Sequence, residues 1–185
     1  MGKSTSAESD AIDAIMLDWA RERPELDPSS LAVFGRLPRL VAQQRNVQNA
    51  NYAEFGLTLA SFDVLANLRR SGAPHRKTAG ELASSSMLTT GGITFRLDRM
   101  EEQGLIERVR TPADRRVVYA QLTAHGKEVI AAVIAKHFET QRNMLAGMDQ
   151  AEADELASLL RKAGNSIADY EDRPGPDGTE PGRIH

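Results

Sequence analysis

The stretch from Lys77 to Thr123, "KTAGELASSSMLTTGGITFRLDRMEEQGLIERVRTPADRRVVYAQLT", constrains the fold more than any other part of the chain. Its first half spaces apolar residues as helices do, and its second half turns to β-prone runs. "KTAGELASSS" and "TTGGITFRLDRMEEQG" read as two short helices separated only by "MLT". Gly104 stops the second, where a left-handed glycine suits a helix end. "LIERVR" and "VVYAQL" then read as strands, joined by "TPAD", which has turn chemistry.

A longer helix precedes this stretch. In "GLTLASFDVLANLRRSG" Thr58 is a cap, Phe62, Leu65 and Leu68 form the apolar stripe, and Gly72 follows the end. Helix, helix, short turn, helix and hairpin is the order of a winged helix-turn-helix, whose second helix of the pair enters the DNA major groove. The expected fold class is therefore mainly α with a small β-hairpin wing, a winged helix-turn-helix flanked by long dimerisation helices.

The flanks supply those helices. Ile12, Ile15, Met16 and Trp19 share a helix with Ser9 as its cap and Pro24 at its end. A second helix is expected over about 28–52, although the interior Pro38 sits badly in it. Beyond the wing, Thr123 opens a long helix through Ala131, Ile134, Phe138 and Leu145, and Asp149 with Glu152 forms a capping box for a last one. The division expected is a polar, disordered 1–10, N-terminal helices on the dimerisation and ligand side over 11–56, and the DNA-binding domain over 57–122. C-terminal dimerisation helices over 123–171 and a Pro/Gly-rich disordered tail over 172–185 follow. The apolar faces of the flanking helices exceed what a small wing domain covers, and a second copy of the chain is the simplest cover.

Composition narrows the function classes. The chain has no cysteine, hence no thiol nucleophile or disulfide framework, and its four histidines are scattered without metal-ligand spacing. No nucleophile–base pair or phosphate loop is visible, so neither enzyme chemistry nor a cofactor is expected. The start lacks the apolar core of a signal peptide and no apolar run spans a bilayer, so a soluble cytoplasmic protein without membrane attachment is expected. The formal net charge is −3, but Arg69–Arg116 holds ten Lys and Arg against six acids, while the remainder is −7. A basic middle between acidic ends suits docking on a polyanion.

Residues follow from angle and spacing. On the second helix of the pair Ile93, Leu97 and Met100 face the core, with Gly91, Phe95, Asp98 and Glu102 opposite and Thr94 and Arg99 flanking. Thr89, Thr90 and Thr94 can bond phosphates or base edges, Gly91 permits close backbone approach, and Phe95 can meet a thymine methyl. At the wing, Arg115 and Arg116 with Asp114 suit a narrow minor groove. A Thr-rich surface helix and a solvated charged turn are the plain alternatives for each feature alone.

The joint pattern resembles the MarR family of bacterial transcriptional regulators over about Leu31–Leu160. The wing has the form Asp-x-Arg-x-x-x-apolar-x-Leu-Thr at Asp114, Arg116 and Leu122-Thr123. Leu59-Ala60 departs from the proline or glutamine of many relatives at that helix start. The resemblance implies a homodimer on palindromic double-stranded DNA, with Arg116 in the minor groove steadied by Asp114. The Trp19 helix resembles the extra N-terminal helix of the urate-responsive subgroup, whose Trp–Asp–Arg–Arg set has counterparts in Trp19, Asp63, Arg96 and Arg108. By angle Asp63 lies opposite its own helix's apolar stripe, Arg96 flanks the core stripe, and Arg108 shares a strand face with Ile106, though Leu105 and Val109 leave that strand ambiguous. The expected function is a ligand-responsive regulator, a repressor released by a small urate-like anion. The same fold tuned to a phenolic or tricarboxylic acid, and a winged-helix protein-interaction module, are the rival readings.

Overall fold

A computed structural model describes residues 9–85, 92–111 and 114–173, with the side chains at 111, 114 and 115 outside the description. Thr89, Thr90 and Gly91, most of the expected N-terminal segment and the tail from 174 lie outside the described residues. The chain divides into two compact units, one ending at His137 and the other beginning at Phe138.

Helix α1 (Ala11–Glu22) is capped by Asp10 rather than Ser9, in a reciprocal box with Asp13. A carboxylate at this position also complements the positive helix end. The expected single second helix is two: α2 (Leu31–Phe34) and α3 (Arg36–Ala53), meeting at Gly35. A Cβ on Gly35 would stand 2.7 Å from the Leu31 carbonyl and 3.0 Å from Ile12, so only glycine fits the junction. The break also resolves Pro38, which falls in the first turn of α3, where its missing N–H costs no helical bond. Arg36 fastens α1 to this junction by bonding Asp10 at 3.0 Å, Asp13 at 2.7 Å and the Ala32 carbonyl at 2.9 Å.

Helix α4 (Leu59–Arg70) starts at Thr58, whose hydroxyl accepts from the Ser61 N–H, as its sequence suggests. Every residue from Phe62 to Leu68 is buried, because α4 is the central helix of its unit and has no solvent face there. Asp63, opposite the stripe of its own helix, is therefore buried as well (7% exposed). Helix α5 (Ala79–Ser85) follows a short strand β1 (Arg76–Thr78) that the sequence pattern does not anticipate. Helix α6 (Ile93–Glu102) begins one residue beyond Gly92, which has φ +79° and so precedes the helix instead of weakening its interior.

Strands β2 (Ile106–Thr111) and β3 (Asp114–Leu122) form the expected hairpin, with β1 added to make the order β1-β3-β2. Its register pairs Ile106 with Leu122, Arg108 with Ala120 and Arg110 with Val118. Ile106, Ala120 and Leu122 are buried on the inner face, with Leu97, Met100, Leu65 and Leu82 packed in the same core. Burying each such leucine contributes roughly 1.5–3 kcal/mol.

Helix α7 (Ala124–Met144) starts at Thr123, whose hydroxyl donates to the Gly104 carbonyl at 2.6 Å and accepts from the Gly126 N–H at 2.9 Å. A Cβ on Gly126 would lie 1.9 Å from the Leu105 carbonyl, so the helix start sits directly on the turn into β2. In the second unit, α8 (Gln150–Glu171) carries the expected Asp149–Glu152 capping box and has no buried residue. Among the described residues no helix is long and apolar enough to cross a membrane.

Candidate nucleic-acid interface and effector residues

Helix α6 divides sharply by face. Leu97 and Met100 are 3% and 1% exposed, with Ile93 packed beside them, whereas Phe95 is 67% exposed. Thr94 and Arg99 share that open side, with the Arg99 guanidinium 6.0 Å from the centre of the Phe95 ring. Of the residues expected to meet DNA, Thr94, Phe95, Arg99 and Arg116 are described with their side chains, and all four are exposed. Asp114 and Arg115 are placed on β3 by their backbone alone, and Thr89, Thr90 and Gly91 lie outside the described residues.

Arg108 lies on the inner strand face with Ile106, as one of the two sequence readings has it, and its guanidinium reaches back to α6. It donates to Asp98 at 2.5 Å and to Glu101 at 2.6 Å, and its backbone N–H donates to Glu101 at 3.1 Å. The Asp98 hydrogen bond, opposed by partial burial and aided by Glu101, holds the guanidinium more firmly protonated than usual. This tie orients α6 against the hairpin and draws two acids out of the field that an approaching phosphate would meet. The sequence singles out Arg108 but not Asp98 and Glu101 as its partners. Their spacing of three on one helix face is the signal that could have shown it.

Of the four effector residues, Arg108 and Trp19 line separate depressions. Arg108 lines a depression of about 430 Å³ with Thr94, Leu97, Arg110 and Val118. Trp19, half exposed, lines a separate open one with Ile15, Asp18 and Arg21. Arg96 is half-buried on α6. Asp63 is buried, and its charge acts on Tyr52, part of a polar and aromatic cluster that no sequence motif announces. Tyr52 stacks on Phe62 at 4.4 Å, and the Tyr52 hydroxyl and Gln48 Oε1 lie 2.9 and 3.1 Å from His137 Nδ1. Burial, and then the charge of Asp63, pushes the Tyr52 phenol up to about 12. These residues come from α3, α4 and α7, and separations of more than eighty residues hide such a cluster from any local pattern.

A helix pair, an exposed second helix and a basic hairpin define a winged-helix DNA-binding protein. The MarR family profile matches residues 55–117. The chain is 33% identical over 149 residues to the transcriptional regulator PecS of Dickeya dadantii, covering 80% of this chain and 90% of that one. It belongs to the MarR family of transcriptional regulators, and the relatives it matches are regulators, not enzymes. Escherichia coli MarR, in a mutant form complexed with operator DNA, superposes with a TM-score of 0.61 at 26% identity, covering 75% of this chain and 99% of that one. Bordetella bronchiseptica BpsR, in a structure concerning regulation of its DNA binding by 6-hydroxynicotinic acid, shares the fold with a TM-score of 0.63 at 23% identity, over 73% and 94% of the two chains.

Proposed function

We propose that this protein is a homodimeric repressor that holds a palindromic operator and is released by a small anionic, urate-like effector. The observation that carries the proposal is the tie from Arg108 on the wing strand to Asp98 and Glu101 on α6. An anion that engages Arg108 weakens this tie and changes the orientation of the helix that meets the bases. Thr94, Phe95 and Arg99 then act in the major groove, Thr89, Thr90 and Gly91 at its edge, and Arg116 with Asp114 and Arg115 at the minor groove.

Trp19, Asp63 and Arg96 complete the effector set by their resemblance to the urate-responsive subgroup. Since Trp19 and Arg108 line separate depressions in one chain, a shared site needs movement or the second copy. Exposed apolar side chains support the homodimer: Val33, Phe34 and Leu40 in the first unit, and Leu159, Leu160 and Ile167 in the second, all face solvent in a single chain. The effect of the ligand on operator affinity should be modest, typically about 1–3 kcal/mol, and reciprocal between DNA and ligand.

A second reading, an aromatic-acid or phenolic effector, draws support from the 6-hydroxynicotinic acid of the BpsR study. Gel shifts on the DNA flanking this protein's own gene, with and without urate, salicylate, 6-hydroxynicotinate and citrate, separate the readings. Absence of any shift without ligand refutes operator binding. A shift released by another acid but not by urate refutes the urate assignment alone.

A further inference from the structure

Phe95 and Arg99 stand one turn apart on the open side of α6, and the arginine carbon lies 6.0 Å from the ring centre, the outer reach of a cation–π contact. The ring is 67% exposed while Leu97 and Met100 fill the core side, so no packing within the described chain uses it. Asp98 and Glu101, the acids nearest in sequence, are engaged by Arg108. The open face therefore offers an apolar ring beside a cation, a pairing that suits a mixed apolar and acceptor surface.

The major-groove floor has such a surface where thymine neighbours guanine: a C5 methyl beside the O6 and N7 acceptors. We propose, resting on the operator-binding reading above, that Phe95 and Arg99 form one specificity unit for a thymine–guanine step in each half-site. The ring covers the thymine methyl, and it narrows the freedom of a guanidinium that donates both its bonds to the guanine. Lysine cannot replace that fork, because its ammonium is a point donor.

The test selects bound sequences from a random duplex library with wild type, Phe95→Ala and Arg99→Lys. Each protein then binds the wild-type-selected duplex and the same duplex with deoxyuridine for that thymidine. Wild type should lose roughly fourfold in affinity with deoxyuridine, the value of one buried methyl group. Phe95→Ala should lose almost nothing further, and Arg99→Lys should lower the preference for guanine on the order of tenfold. Thermal unfolding checks that both variants remain folded, as the exposure of these side chains implies. A wild-type protein that enriches no sequence overturns operator binding and this inference together. A selected half-site without the thymine–guanine step, or a Phe95→Ala variant as sensitive to deoxyuridine as wild type, overturns the specificity unit alone.

Discussion

Arg108 and Asp98 meet at 2.5 Å, joining wing strand β2 to helix α6. An anionic effector at Arg108 must displace this carboxylate and that of Glu101. Asp98→Asn should therefore bind urate a few-fold more tightly, because partly exposed ion pairs are worth about 0.2–1 kcal/mol. Isothermal titration against wild type checks this, and equal or weaker binding would count against Arg108 as the anchor.

Arg116 is exposed on β3 next to the turn of the hairpin. Arg116→Ala should cost about 1–3 kcal/mol of operator binding. It should also flatten the salt dependence by about one unit of slope, since one phosphate-region cation is lost. Anisotropy over a salt series measures both, and an unchanged slope removes Arg116 from the interface.

Helix α8 has no buried residue, yet Leu159, Leu160 and Ile167 are apolar. A chain ending at Asp149 should sediment as monomers or aggregates and bind DNA weakly. A soluble dimer from that shorter chain would place the interface elsewhere.

Burial lowers the pKa of His137, so the folded chain resists the proton that the unfolded chain accepts near 6.5. The resulting stability is fully present above about pH 6.5 and is lost as pH falls through the folded value. The thermal midpoint should drop between about pH 7 and 5, and His137→Gln should shallow that slope. Equal slopes in the two proteins would show that His137 is not the responsible group.

Local chemistry makes much of the fold legible. Thr58, Gly104, Thr123 and the Asp149–Glu152 box each mark an end through their own side chain or backbone freedom. Strand β1 is not legible, because three residues show no period and are defined by pairing with β3. Gly35 divides α2 from α3 because Ile12 and the Leu31 carbonyl crowd it, a tertiary cause that no helical pattern reveals. The open side of α6 is readable by angle, since its inner stripe is apolar. The same method cannot show that Asp63 is buried, because angle reports one helix and burial depends on all its neighbours.

The seat of α7 on the turn into β2 has a mechanical consequence. Thr123 grips the Gly104 carbonyl, and Gly126 leaves no room above Leu105 even for a methyl group. A joint this tight has no play. Displacement of the hairpin is handed to the first turns of α7 without lost motion, so a spin label at exposed Ala131 should register what happens at the hairpin on the far side of the joint.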